Sequence, residues 1–281
     1  MKDTATLRKT VKIEGVGLHT GAFCRAVFKP APSGAGITFL RADIAGATPV
    51  AAKLENVNST VRGTNLSGGG SEVFTVEHIL SACAGLGITD LAVELDAPEP
   101  PILDGSAKGF VALFLSCGTE KNGGRTRTLT SAQELRYENG DALYVARPAD
   151  ALSVSFVFEH PHPLVGRQQY FFEPGRGDYA VEIAPARTFG FEEELAWLKK
   201  AGLAKGGSLE NAVVVTRDAF LSAEGGLRFP DEMVRHKILD LLGDLVLCGL
   251  PLSGLAITAE KGGHKHNVEF GRLLLKNGVM E

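Results

Sequence analysis

One predicted helix organises the rest of the chain: Val234-Arg235-His236-Lys237-Ile238-Leu239-Asp240-Leu241-Leu242-Gly243-Asp244. Apolar residues recur along it at helical spacing and form a stripe, which consists of Val234, Ile238, Leu241, Leu242 and Leu245. His236, Asp240 and Asp244 lie four residues apart and therefore share the opposite face. A row of His and Asp on a helix with apolar residues on both faces indicates a buried polar site. The alternative is a buried His–Asp pair whose two side chains hydrogen-bond only to each other and have a purely structural role.

Length and composition describe a globular chain of 281 residues, enough for one large domain or two of ordinary size. It is 44% hydrophobic and 22% charged, and its net charge of -4 gives no electrostatic argument for nucleic-acid binding. No apolar run reaches the roughly 18 residues of a membrane span, and residues 1–6 lack a signal-peptide core. We therefore expect a cytoplasmic protein that is not integral to a membrane. The four cysteines form no CxxC pair, which predicts reduced, mostly buried thiols.

The second half of the sequence repeats the order of the first. The strand-like residues 21–31 and 37–40 have counterparts at 140–149 and 154–157, and the helix at Val76-Glu77-His78 has one at Val234-Arg235-His236. A later strand at 91–95 has its counterpart at 255–258. We predict two copies of one α+β unit, at 1–122 and 123–281, each with a sheet that is covered by helices.

The offset between the copies is not constant. It is about 119 residues for the first strands (21 to 140) but 158 for the helix (78 to 236), so the second copy has about 40 extra residues before its helix. We place an insertion at about 191–211, where it precedes the polar helix face and is more often functional than a random loop. The symmetry of the copies should bring His78 close to His236.

Two imidazoles and a carboxylate would then meet, from His78, His236 and Asp240. Three protein ligands with an open fourth position are typical of catalytic zinc, whereas structural sites are usually closed by four. Glu77 directly precedes His78 and is a plausible general base. The HExxH zincin helix and its inverted form are both absent. His264 follows two glycines in a predicted loop, where it is either a solvated residue or, with Asp244 orienting it, a functional one.

These residues belong to a series of motifs that resemble one family, the UDP-3-O-acyl-N-acetylglucosamine deacetylases of lipid A synthesis. The motifs are Thr75-Val76-Glu77-His78-Ile79-Leu80-Ser81-Ala82, Pro101-Ile102-Leu103-Asp104-Gly105-Ser106, Ala186-Arg187-Thr188-Phe189-Gly190-Phe191, Gly206-Gly207-Ser208-Leu209, Gly225-Gly226-Leu227-Arg228-Phe229, Val234-Arg235-His236-Lys237 and Gly262-Gly263-His264. The likeness covers nearly the whole chain. It implies two similar α+β halves whose helices are sandwiched between the two sheets.

The resemblance also implies the chemistry of the site. It implies a Zn2+ ion held by His78, His236 and Asp240, with Glu77 as the general base. The implied reaction is hydrolysis of the N-acetyl group of UDP-3-O-(3-hydroxyacyl)-N-acetylglucosamine, with release of acetate. The expected partner is therefore an acylated UDP-sugar, which a monomer would bind.

Further roles follow from the resemblance alone. His264 would be the acid or the positive partner of the leaving group, Asp244 its support, and Thr188 a neighbour of the tetrahedral oxyanion. Lys237 would contact the head group of the substrate.

An acyl-chain passage is implied as well. Phe189 and Phe191 would line it together with the insertion, including Gly207 and Ser208. His19, in a glycine-punctuated turn, is assigned to substrate binding, with a structural role in that turn as the alternative.

Two departures from the family pattern concern substrate detail. Lys265 and His266 follow His264 where a small residue and Leu are common, and Arg62-Gly63 replaces a more apolar pair that some members have near the active site. Two rival functions stay open. One is a deacetylase of another N-acetyl sugar, and the other is a non-catalytic nucleotide-sugar or lipid-binding module whose structural metal would have a fourth protein ligand.

Overall fold

The computed structural model describes residues 1–281 and divides them into twenty strands and six α-helices. Residues up to 126 form, in order, β1 Lys2–Leu7, β2 Val11–Val16, β3 Phe23–Pro30, β4 Ile37–Arg41, β5 Val50–Ala51, β6 Val57–Ser59, β7 Asn65–Gly68, β8 Ser71–Val73, α1 Glu77–Leu86, β9 Leu91–Leu95, α2 Lys108–Cys117 and β10 Thr119–Thr126. The remainder forms β11 Leu129–Thr130, β12 Leu135–Asn139, β13 Ala142–Pro148, β14 Ser153–His160, β15 Gly166–Phe172, α3 Tyr179–Glu182, β16 Phe189–Phe191, α4 Glu192–Lys200, β17 Val213–Val215, β18 Phe220–Leu221, α5 Glu232–Val246, β19 Leu255–Glu260, α6 His264–Asn277 and β20 Val279–Met280.

Two five-stranded sheets have the same topology. Their strand orders are β2-β3-β9-β4-β5 and β12-β13-β19-β14-β15. In each sheet one pair is parallel, β4 with β9 and β14 with β19, and the other neighbours are antiparallel. The shared strand order and pairing directions confirm the predicted repeat of one α+β unit.

The residue pattern of the strands explains how each sheet covers the core. In β9, Leu91, Val93 and Leu95 are buried while the residues between them are partly exposed, and β19 alternates in the same way. Side chains alternate between the faces of a strand, so a period of two buries one face of each sheet. Core residues from both sheets and from the intervening helices form one continuous cluster, as the sandwich prediction requires.

The helices α1 and α5 pack closely against each other at the centre of this sandwich. A Cβ atom at Gly243 of α5 would lie 2.2 Å from the carbonyl oxygen of Glu77, so the close approach requires glycine there. The contact places the rings of His78 and His236 with their centroids 5.3 Å apart. The predicted meeting of the two helices is confirmed.

Each half also has a small three-stranded sheet before its central helix, β6-β7-β8 in the first and β16-β17-β18 in the second. The predicted insertion at about 191–211 includes α4, which follows directly on β16. Strand β10 crosses the predicted boundary at residue 122 and pairs with β1, so the division into 1–122 and 123–281 stays a prediction. All four cysteines are buried and unpaired. No helix combines the length and hydrophobicity that a membrane-spanning segment requires.

Candidate active site

Three predicted metal ligands converge between the central helices. His78 lies at the start of α1, and His236 and Asp240 lie one turn apart on α5. Their ligand atoms are all within 4.8 Å of one another, and all three residues are buried. His236 Nε2 and Asp240 Oδ1 are 3.3 Å apart, close to the about 3.3 Å that separates two ligands bound at 2.0–2.1 Å to a tetrahedral zinc ion.

The unsatisfied polar atoms of this cluster fit a cation. Asp240 Oδ1 and His78 Nδ1 are buried without a hydrogen-bond partner, which costs about 1–3 kcal/mol for an ordinary polar group. Nδ1 of His236 is 3.0 Å from the carbonyl oxygen of Ala186 and donates its proton to it. That bond fixes the tautomer and leaves the Nε2 lone pair free, as in metal-bound histidines.

The charge states of the ligands fit a cation as well. Burial lowers the pKa of His236 to about 4 and also lowers the pKa of His78, so both imidazoles are neutral at pH 7. Burial alone would raise the pKa of Asp240, but His236 and Lys237 beside it hold the value well below its usual range. Neutral imidazoles and an ionised carboxylate are the forms that coordinate metals.

Glu77 is held next to this cluster by the backbone. The Thr64 N–H donates to Glu77 Oε2 at 2.9 Å, while Glu77 Oε1 lies 3.9 Å from His264 Nε2. Burial raises the pKa of Glu77 to about 8, although the positive charge of His264 opposes that rise. A divalent cation close by would favour the ionised form, which a general base needs.

His264 is the first residue of α6, so the prediction that it lies in a loop is wrong. The helix begins directly after Gly263, so residues 264–266 form its first turn. His264 and His266 therefore point in different directions. His266 lies 3.0 Å from the hydroxyl of Tyr137, whereas His264 Nε2 is 3.9 Å from Asp240 Oδ2.

Asp244 supports His264 from a fully buried position. Its Oδ2 is 3.0 Å from His264 Nδ1 and also accepts from Asn267 Nδ2 at 2.8 Å, while its Oδ1 accepts from the Thr64 hydroxyl at 2.5 Å. Burial lowers the pKa of His264, but the carboxylates of Asp244, Asp240 and Glu77 outweigh it and raise the pKa to about 9. The imidazole is therefore protonated at pH 7.

These groups lie in a cleft of about 280 Å³ between the two halves. Nine of the predicted site residues line it: Glu77, His78, Thr188, Phe189, Phe191, His236, Lys237, Asp240 and His264. Asp244 lies behind His264. The structure thus brings together the proposed ligands, proton-transfer groups and aromatic residues, and leaves His19, Gly207 and Ser208 outside the lining.

Aromatic residues form one wall of this cleft. The ring of Phe191 stacks on His160 with centroids 3.8 Å apart, and Phe189 packs edge-on against Phe158. Lys237 lies over the Phe189 ring, and its Nζ is 2.8 Å from Asp240 Oδ2. Lys237 therefore contacts a proposed metal ligand as well as the cleft.

His19 belongs to a turn that is tied to the insertion. Its carbonyl accepts from the N–H of Lys205, and its Nε2 is 3.0 Å from the carbonyl oxygen of Arg62. In a neighbouring turn, the Ser208 N–H donates to the side-chain oxygen Oδ1 of Asn211 at 2.8 Å. The roles of His19, Gly207 and Ser208 in substrate binding stay predictions.

Two polar residues beside the cleft, Thr64 and Asn267, were not predicted. Thr64 contacts both Glu77 and Asp244, and Asn267 supports Asp244. Arg62 reaches across the cleft to Glu194 of α4 at 2.5 Å. Thr64 and Asn267 are single polar residues whose partners lie 13 to 180 residues away, so no local pattern identifies them. Arg62 was placed near the active site by the departure from the family pattern, and it lines the cleft.

Three candidate metal ligands next to a carboxylate and a protonated imidazole indicate the class of this site, because that arrangement is typical of hydrolytic metal centres. The comparisons with known proteins identify the family within that class. Residues 4–276 match the family model described as UDP-3-O-acyl N-acetylglycosamine deacetylase, and the chain belongs to that family.

Curated relatives agree with the family model. The chain is 45% identical over 93% of its length to the UDP-3-O-acyl-N-acetylglucosamine deacetylase of Anaeromyxobacter dehalogenans (strain 2CP-C), covering 84% of that protein. It is 43% identical over 97% of its length to the protein of the same name from Myxococcus xanthus (strain DK1622), covering 86% of it. A third relative of that name, from Anaeromyxobacter sp. (strain Fw109-5), is 43% identical over 96% of the chain and is 88% covered. The resemblance seen in the separated motifs is confirmed.

Proposed function

We propose that this member of the deacetylase family holds one Zn2+ ion on His78, His236 and Asp240 and hydrolyses the N-acetyl group of UDP-3-O-(3-hydroxyacyl)-N-acetylglucosamine. One observation carries the proposal. The buried ligand set has an unpartnered carboxylate oxygen, Asp240 Oδ1, and lies beside Glu77 and His264, whose facing atoms are 3.9 Å apart. The family match and the names of the relatives support the reaction and the substrate.

Each residue has a role that its position supports. His78, His236 and Asp240 would hold the zinc ion, which would supply a water of lowered pKa, toward about 7, and a Lewis acid for the acetyl carbonyl. Glu77 Oε1 accepts the proton of the attacking water, and the Thr188 hydroxyl donates to the oxyanion. Protonated His264 gives its Nε2 proton to the departing amine, so that acetate and the free amino sugar result. Asp244 keeps His264 oriented and charged through its 3.0 Å contact with Nδ1.

The cleft walls suit an acylated sugar. Phe189 and Phe191 provide apolar surface at the edge of the insertion, while Lys237 presents a positive charge to an anionic head group. The non-catalytic rival requires a fourth protein ligand, whereas the candidate ligand group consists of three residues. The remaining rival, a deacetylase of another N-acetyl sugar, needs no acyl chain at all.

Acyl-chain length should therefore control kcat/KM. Burial of a methylene group contributes about 0.8 kcal/mol, so removing four of them should lower kcat/KM by about 10²-fold. Initial rates of acetate release would be measured on a series of UDP-3-O-acyl-N-acetylglucosamines and on UDP-N-acetylglucosamine.

Two variants sharpen this measurement. In Phe189→Ala the dependence on chain length should become weaker, whereas in Phe171→Ala, which changes an exposed ring on β15 outside the cleft, it should match the wild type. Equal kcat/KM for short, long and absent chains in the wild type would favour the general N-acetyl-sugar deacetylase.

A further inference from the structure

A buried carboxylate at the start of α5 collects four hydrogen bonds. Glu232 is the first residue of this helix, and its side chain is only 1% exposed. Its Oε1 accepts from the backbone N–H and Nε of Arg187, at 2.9 and 2.8 Å. Its Oε2 accepts from an Arg187 guanidinium nitrogen at 3.1 Å and from the backbone N–H of Arg228 at 2.6 Å. Glu232 therefore binds two separate chain segments to α5.

The two chain neighbours of Arg187, Ala186 and Thr188, both belong to the site. The carbonyl of Ala186 accepts from His236 Nδ1, and the side chain of Thr188 lines the cleft. Glu232 itself precedes His236 by one helical turn. The Glu232 carboxylate thus joins α5, which carries His236, to the backbone at Ala186, which orients the His236 ring.

We propose that Glu232 is a positioning residue for the metal centre, because its contacts with Arg187 fix the Ala186 carbonyl against His236 and Thr188 against the cleft. The inference rests on the proposed zinc site. A hydrogen bond from the second ring nitrogen of a metal-binding imidazole sets the orientation of the ring and raises its basicity. Loss of the acceptor of that bond typically lowers metal affinity 10–100-fold. Without the carboxylate, the buried Arg187 guanidinium keeps only the exposed Glu224, 3.9 Å away, as a charge partner, and the 186–188 segment shifts.

The test compares two substitutions within one ion-pair network. Glu232→Gln removes the buried charge, while Glu224→Gln removes an exposed carboxylate, 54% accessible, that contacts Arg228 in the same network. Zinc dissociation constants would be measured by competition with a chelator, and kcat and KM at saturating zinc. We expect Glu232→Gln to weaken zinc binding about 10-fold and to lower kcat with little change in KM. Glu224→Gln should match the wild type in all three values.

A second variant covers the case in which Glu232→Gln does not fold. Glu232→Asp keeps the charge that pairs with Arg187 but draws the carboxylate back by one methylene, so it should fold and still bind zinc more weakly. Wild-type zinc affinity and kcat in a folded Glu232 variant, with only a lower melting temperature, would overturn the positioning role. A wild-type protein that binds no zinc would instead overturn the proposed function.

Discussion

Replacement of His236 by alanine is expected to remove the bound zinc ion and to lower kcat by ~10³-fold or more, since a metal ion contributes several kcal/mol to catalysis of this kind. His78→Ala and Asp240→Ala should have the same two effects, because each leaves only two ligands in the buried cluster. Metal content by elemental analysis and turnover would be measured on the same preparations.

His162→Ala is the matched control for this set. His162 lies near Phe191 but does not line the cleft, so its removal should leave one zinc ion per chain. Full zinc occupancy in all three ligand variants would eliminate the proposed site, whatever their activities.

Loss of His264 is expected to have the next largest effect. His264→Ala should lower kcat by roughly 10²-fold or more, the usual scale for a positioned proton donor. Activity that needs the protonated imidazole falls as the pH rises through the pKa of His264, which the surrounding carboxylates raise, so the variant should lose the alkaline limb of its pH–rate profile. Rates across the pH range would be measured for the wild type and the variant.

His266→Ala provides the control from the same helix. His266 is directed toward Tyr137 and away from the cleft, so its replacement should cost far less activity. Greater damage from His266→Ala than from His264→Ala, with zinc content intact in both variants, would show that the acid has been assigned to the wrong histidine.

The repeat is the part of the fold that the sequence predicted best. Matching strands and a matching His-containing helix in the two halves predicted that His78 and His236 would meet, and their ring centroids are 5.3 Å apart. The prediction succeeded because similar segments bury similar faces, so that two copies pack about a common centre. This packing restricts position 243 to glycine, since only a residue without a side chain fits against the backbone of Glu77.

Tertiary contacts decide the features of the site that the sequence did not predict. Gly262-Gly263 indicated a loop at His264, but the chain starts a helix there, and Asp244 from α5 fixes the imidazole. Thr64 and Glu232 were missed for a related reason. Thr64 is 180 residues from Asp244, and Glu232 is 45 from Arg187, so neither contact leaves a periodic pattern in the sequence.

The most direct test of the zinc-dependent deacetylase is acetate release from UDP-3-O-(3-hydroxyacyl)-N-acetylglucosamine by the wild-type protein before chelation, after chelation and after zinc is restored. We predict turnover that is abolished with the removal of one zinc ion per chain and recovered when one zinc ion is bound again. Undiminished turnover by protein shown to be free of metal would contradict the account.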